Sequence, residues 1–522
     1  MFHKDDSWIR LVKPVIAPPS LKDNTADVDR VIKGTKKVLG TSKVRMDFSL
    51  MKRTPSLLRG CGYEVCGVAY KDEHAWHLVE LLPPGAASTL YGLAIDLGSA
   101  TVVIELLDLL DGHALEEVSF LNPQVEVGLD ILTRIQFACQ DRGLEKLRSM
   151  LLERLNREIA GLRKKHNIKT ETMAGASVTG NTTMTHLLLG LDPCGICREP
   201  YIPAVNRPGI LGAREVGIDI FPDAPVLVFP NVGSYFGGDM IAGILASGVA
   251  QSDAICLLVD VGTNAEVVLG NKEWLVACAG AAGSALEGGV AEMGTMAGPG
   301  VIDRVFIDPE TGEFEVRTID NRRPVGICGS GLIDLVAQLF LAGMIDVQGK
   351  FVKGGCGNRL RDIEGTIHLV VVPAGNTAAG RDITLSQTDL DRLLRSKAAM
   401  YTILTTIVDM MNLEMDDISR FYVAGTFGSY IDPRSAITIG MLPDLLLEVY
   451  RSLGNTSLAG ARKALLSWEA RDMVYEIQER ITYIELNVNQ EFMNRFSAAR
   501  FIPHTDMDQF PSVRKWFANR KP

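Results

Sequence analysis

A chain of 522 residues exceeds what one hydrophobic core supports and should divide into about two to four domains. Its hydrophobic content of 47% is ample for burial, and 50 glycines point to many close turns. A net charge of −10, with no block of Lys and Arg long enough to line a groove, argues against nucleic acid as a partner, and no apolar run approaches the ~18 residues of a membrane span. Met1 to Arg10 is polar, so no signal peptide is expected and the protein is expected in the cytoplasm. Nine scattered cysteines, an odd number, do not form a disulfide framework, so reduced thiols are expected. Of the eight histidines only His74 and His77 are close, with no third metal ligand nearby.

In chain order, residues 1–87 read as a small α/β domain. Its extended start (Ile9 to Pro19) leads to a helix opening near Ala26 and a second helix around Leu50 to Arg59 that Pro55 should interrupt or begin. Strand-like runs follow at Tyr63 to Tyr70 and His77 to Leu82, and Pro83-Pro84-Gly85 reads as a linker. The remainder, 88–522, reads as two lobes of about 88–250 and 251–522.

The first lobe opens with an apolar run ending at Asp96, a turn holding Gly98, Ser99 and Ala100, and a β-branched run from Thr101. Such a strand-turn-strand unit suits a phosphate: Gly98 permits close backbone approach, the hydroxyls of Ser99 and Thr101 and nearby amides can face it, and Asp96 can hold magnesium through water. A third strand is expected at Ala114 to Phe120. Leu144, Leu147, Leu151, Leu155, Ile159 and Leu162 then repeat at helical spacing. A strand ending in Val178-Thr179-Gly180-Asn181 and another at Pro225 to Pro230 follow, the latter leading to Gly237-Gly238-Asp239 and an Ala/Ile-rich helix.

The second lobe repeats the theme with Asp260, Gly262, Thr263, Asn264 and Glu266. Its later landmarks are Gly329-Ser330-Gly331, which either belongs to the site or only opens a helix, a long helix from about Ser386 to Met411 capped by Ser386, and a buried strand running into Gly425-Thr426-Phe427-Gly428. Two similarly ordered segments suggest duplicated lobes facing one another across a cleft.

Two phosphate hairpins, each preceded by an Asp, and a late Gly-rich turn resemble the acetate and sugar kinase, heat-shock 70 and actin superfamily. The resemblance implies an α/β fold with two ribonuclease-H-like lobes around an ATP cleft. Asp96 and Asp260 would attend magnesium through water. Gly98 to Thr101 and Gly262 to Asn264 would hold phosphates, and Gly425, Thr426 and Gly428 would approach the adenosine. Gly180 and Asn181 join the cofactor-binding set. Asp260 or Glu266 would orient the attacking water, without a choice between them.

Finer motifs narrow the resemblance: Asn122-Pro-Gln124 with Gly128-Leu-Asp130-Ile-Leu-Thr-Arg134, Val178 to Met184, Asp260 to Glu266, Gly326 to Gly331, Ala424 to Tyr430, Ile439 to Asp444 and Gly454 to Ala461. From about residue 5 to the C-terminus the chain resembles the reductive activators of corrinoid proteins. That implies ATP-dependent return of cob(II) to cob(I) on a partner corrinoid protein of a methyltransferase system, with residues 1–85 as the family's small middle domain and a homodimer as a plausible assembly. Such activators commonly carry an iron–sulfur ferredoxin domain, and neither of its usual cysteine spacings occurs here. Electrons are therefore expected from a separate donor such as a ferredoxin, or from a domain removed from the chain. Cys194-Gly-Ile-Cys197 cannot hold a cluster alone. It reads as half of a cluster shared by two subunits, as a redox-active pair, or as incidental thiols. Cys256, Cys278 and Cys328 read as small buried residues, and the stretch from Cys278 through Ser284 to Gly289 resembles a corrinoid-facing region. A small-molecule kinase of the same fold and a nucleotide-gated binding module are the alternative functions.

Overall fold

The structure is a computed structural model that describes residues 6–86, 88–262, 265–280, 292–308, 311–485 and 490–519. Thr263, Asn264 and the stretch through Ser284 to Gly289 lie outside the described residues. By compactness the chain forms two units, Met1–Ala246 with Ser457–Glu479, and Ser247–Thr456 with Arg480–Pro522. The first unit extends to Ala246 and also takes in residues 457–479, which the expected division placed in the second lobe. Ser457 donates to Asp96, the Lys463 ammonium donates to the carbonyls of Leu245 and Ala246, and the Trp8 indole donates to the Ala464 carbonyl.

The N-terminal part of the first unit is a four-stranded sheet in the order Ile9–Val12, Cys66–Lys71, Trp76–Leu82, Val44–Met46. Two helices, Asp27–Leu39 and Phe48–Gly60, complete it, and its core includes Val31, Leu50, Leu58, Ala69 and Leu78. Pro55 neither begins nor interrupts the second helix. Buried Leu50 and Leu58 anchor the helix on both sides of the proline, and the Thr54 hydroxyl donates to the Leu50 carbonyl.

The main sheet of the first unit has six strands in the order Ala114–Leu121, Thr101–Asp108, Tyr91–Leu97, Met173–Gly180, Pro225–Val228, Gly209–Gly212. The first three are antiparallel, whereas Tyr91–Leu97 and Met173–Gly180 pair in parallel. Tyr91–Leu97 is thus a central strand, which explains its apolar run: Leu93, Ala94 and Ile95 are wholly buried. The helix Gly143–Lys165 buries Leu147, Leu151, Leu155, Ile159 and Leu162, the face read from the sequence.

The second unit contains a six-stranded sheet in the order Tyr450–Gly454, Arg420–Ala424, Cys256–Val261, Ala265–Gly270, Leu275–Gly280, Ile481–Tyr483. Again the opening strand pairs antiparallel with the next strand and parallel with the later one. Central-strand residues Leu257 and Val259 pack in a core with Leu332, Val336, Leu404 and Ile407. The helix Gln387–Met410 begins at Ser386, whose hydroxyl accepts from the Asp389 amide while the Asp389 carboxylate accepts from the Ser386 amide. Five strands of each sheet share one order and one pattern of directions, with the sixth added at opposite edges, and this repeat bears out the ribonuclease-H-like duplication.

Candidate functional site

In the first unit Asp96 lies one residue before the end of its strand, at the mouth of the turn to Thr101–Asp108. A Cβ on Gly98 would collide with the Thr101 carbonyl, so this position requires glycine. Two asparagines brace the turn. Asn122 donates through Nδ2 to the Gly98 carbonyl at 3.0 Å and, through its backbone amide, to the Ala100 carbonyl at 2.8 Å. Asn181 caps the helix Thr182–Leu189, accepting from the Met184 amide, and donates to Ser99 Oγ at 2.9 Å. Gly180 packs where a Cβ would lie 2.9 Å from the Leu97 carbonyl. Ser99, Ala100 and Thr101 remain partly accessible, as does Asp96.

Three further groups attend Asp96 that the sequence did not single out for the site. Ser457 Oγ donates to Asp96 Oδ1 at 2.7 Å, and Thr179 Oγ1 lies 2.8 Å from Ser457 Oγ. Asp239, at the start of the helix Gly238–Ser247, accepts from the Met240 amide through Oδ1. Burial, and then the charge of Asp96, push the Asp239 carboxyl up to about 7. An ionised Asp96 thus disfavours ionisation of Asp239. The only sequence signal for Asp239 was an acidic residue after two glycines at the opening of an apolar helix. Ser457 carried none, because 361 residues separate it from Asp96.

In the second unit Asp260 stands directly across the antiparallel ladder from Glu266 and across the parallel ladder from Ala424. Cross-strand partners share a sheet face, so the two partly accessible carboxylates are neighbours. Gly425 follows with φ +80°, and a Cβ there would lie 2.8 Å from Asp260 Oδ1. Gly428 lies in the helix Gly425–Tyr430, where a Cβ would meet the Val423 carbonyl at 2.7 Å. Asp260, Gly262, Glu266 and Gly425 therefore gather at the same ends of adjoining strands. Thr426 is placed in that helix. Gly329, Ser330 and Gly331 open the helix Gly329–Leu341 and are buried; Ser330 Oγ contacts the Cys328 thiol, and Gly331 abuts the Ile302 carbonyl. Packing against the Val301–Ile307 strand accounts for the glycine at 331.

The Asp96 turn suits a phosphate with a divalent cation, since it sets partly accessible residues next to an acidic oxygen and is closed to a larger residue at Gly98, and Asp260 is likewise closed in by Gly425.

The cysteines bring a correction. Cys194 is disulfide-bonded to Cys139, so reduced thiols throughout is not the observed state, and Cys197 is a free, partly buried thiol. Asp192 is grouped with the two bonded sulfurs, the carboxylate oxygen and both sulfurs lying within 4.8 Å of one another. Cys256, Cys278 and Cys328 are buried as expected, and burial pushes the Cys278 thiol up to about 12. No described helix is long and apolar enough to cross a membrane.

Comparison with known proteins agrees over nearly the whole chain. Residues 254–514 match the C-terminal domain of RACo, the ASKHA domain; residues 91–252 match the RACo middle region, and residues 5–87 the RACo linker region. The name "middle" thus belongs to 91–252 and not to the small N-terminal domain. Corrinoid activation enzyme RamQ of Eubacterium limosum is 31% identical over 459 residues, covering 86% of this chain and 76% of that protein. The [Co(II) methylated amine-specific corrinoid protein] reductase of Methanosarcina barkeri is 24% identical over 442 residues, covering 78% and 76%. Among solved structures, a reductive activator for corrinoid, iron–sulfur protein superposes with a TM-score of 0.90 at 39% identity, covering 97% of this chain and 81% of that one. Sequence, strand order and comparison converge: the chain belongs to the RACo family and carries its ASKHA domain.

Proposed function

We propose that this protein uses ATP to drive reduction of an inactive cob(II) cofactor, carried on a corrinoid protein of a methyltransferase system, to cob(I). The observation that carries the reading is the 0.90 superposition over 97% of the chain onto a reductive activator, joined to an Asp–Gly turn at the head of each main sheet. Asp96 would hold magnesium through water, and Gly98, Ser99, Ala100 and Thr101 would cradle a phosphate, with Gly180 and Asn181 supporting them. Asp260, Gly262, Thr263, Asn264, Gly425, Thr426 and Gly428 would serve the remaining phosphates and the adenosine. The magnesium supplies charge neutralisation for the phosphates.

Among the chain's own groups, Asp239 is the best placed to order water beside Asp96, a role for which Asp260 and Glu266 are the alternatives. Its carboxyl, raised to about 7, can exchange a proton near neutral pH. The cobalt step moves one electron, supplied by a separate donor such as a ferredoxin. A tenfold shift of its equilibrium corresponds to about 59 mV, so altering the cobalt's axial ligation on the partner is an effective lever. Switching between partner-binding and partner-releasing states almost completely needs about 5.5 kcal/mol of differential nucleotide binding. The test mixes the protein with an inactive corrinoid protein, a strong reductant and ATP·Mg2+, and follows the cob(II) to cob(I) absorbance change. An ATP-dependent rise in cob(I) is expected. Its absence across methylamine-type and iron–sulfur corrinoid proteins overturns the reading.

A further inference from the structure

The bond between Cys139 and Cys194 ties the segment 122–139 to the segment 181–194, and the first residue of each segment braces the Asp96 turn. Cys139 is the residue after the helix Ile131–Ala138, and Cys194 lies beyond the helix Thr182–Leu189; their Cα atoms are 5.9 Å apart. Upstream of the first helix stands Asn122, and at the head of the second stands Asn181, the two side chains that brace Gly98 and Ser99. Between them lies buried Met184, whose sulfur is 3.5 Å from Arg134 Nη1 and 3.9 Å from Asn122 Nδ2. Arg134 is wholly buried and also donates to the Gly128 carbonyl. A covalent tie at the far ends of these helices holds Arg134 of the first toward Met184 of the second, whose sulfur also meets Asn122.

Seven other described cysteines are unpaired, so this is not a disulfide-stapled fold in which a bridge substitutes for a core. Both bonded cysteines are partly accessible, within reach of small thiols, and a third thiol, Cys197, stands one turn from Cys194 with its sulfur 3.8 Å from the Cys194 carbonyl.

We propose that Cys139 and Cys194 form a reversible dithiol–disulfide site that, when oxidised, stiffens the Asp96 turn and strengthens its hold on nucleotide. The oxidant is a low-molecular-weight disulfide. One cysteine thiolate attacks it, forming a mixed disulfide and expelling one thiolate; the second cysteine then displaces the other. Two electrons pass to the small disulfide, which leaves as two thiols with the two cysteine protons. A dithiol reverses the sequence by the same exchanges. The nucleotide half of the proposal rests on the ATP-binding reading above; the stiffening does not.

The experiment equilibrates the full chain without nucleotide in glutathione disulfide or in reduced dithiothreitol. Alkylation with peptide mapping, hydrogen exchange of residues 96–103, and ATP·Mg2+ binding by calorimetry are then measured on each form, with Cys139→Ser and Cys197→Ser as comparisons. Oxidation is expected to remove two alkylatable thiols, link the Cys139 and Cys194 peptides, slow exchange in the turn at least threefold and tighten ATP binding at least threefold. Dithiol should reverse every change, Cys197→Ser should retain them, and Cys139→Ser should lose them. A linked peptide containing Cys197, two thiols that stay alkylatable, or equal exchange in the two forms overturns the proposal, as does equal ATP affinity in a chain that binds ATP. If neither form binds ATP, the nucleotide reading fails together with the affinity half, while peptide mapping and exchange still decide the stiffening.

Discussion

Asp239 shows how a single side chain acquires a role from its surroundings. Alone it is an acidic residue in the first turn of a helix, a position the helix dipole favours. Against Asp96 its carboxyl is pushed up to about 7, with burial as the larger cause. The unfolded chain ionises Asp239 near 3.8, so the folded form retains a proton between about 4 and 7, and stability falls with rising pH across that window. Asp239→Asn is accordingly expected to raise the melting temperature by a few degrees at pH 8. The gain should grow from about pH 4 to about pH 7 and level off above, as read by thermal unfolding across that range. The same variant is expected to lose roughly a hundredfold in ATP hydrolysis with nucleotide affinity changed by less than about threefold. Hydrolysis at the wild-type rate would remove Asp239 from the reaction.

At the scale of elements, the strand-turn-strand units carried the clearest signal, because a central strand buried on both faces reads as a continuous apolar run and a phosphate-type turn needs Gly where the backbone closes. Gly98 meets that need through a collision with the Thr101 carbonyl, and Gly425, which opens the helix after Arg420–Ala424, is held to glycine by a left-handed φ of +80°. In Gly425→Ala, a methyl 2.8 Å from Asp260 Oδ1 is expected to displace that carboxylate. A loss of about 1–2 kcal/mol in denaturant unfolding should accompany it, together with at least a tenfold weaker affinity for ATP by calorimetry. The capped helix after Ser386 was equally legible, since its first-turn hydrogen bonds are local. The helix around Pro55 was not. Its continuity depends on burial of Leu50 and Leu58 in the N-terminal core, which the local sequence does not reveal.

For the whole molecule, the repeated order of five strands is the physical basis for proposing a nucleotide turn in each unit. If the chain binds ATP·Mg2+ through these turns, ligand at a hundredfold excess over Kd stabilises it by about 2.7 kcal/mol. The melting temperature should rise by several degrees, and Asp96→Ala should abolish that rise while leaving the ligand-free circular dichroism spectrum unchanged. A full shift in the variant would detach Asp96 from the nucleotide. By itself the sequence determined the duplicated α/β units, the two Asp–Gly turns, the buried helical faces and the family motifs, because each depends on neighbours a few residues apart or on an ordered series of such motifs. Tertiary structure decided the rest: Ser457 against Asp96, Asp239 beside the same carboxylate, residues 457–479 in the first unit, and Cys194 bonded to Cys139 instead of paired with Cys197. Those contacts join residues dozens to hundreds of positions apart, and only the folding of the sheets and helices brings them within hydrogen-bonding or covalent reach.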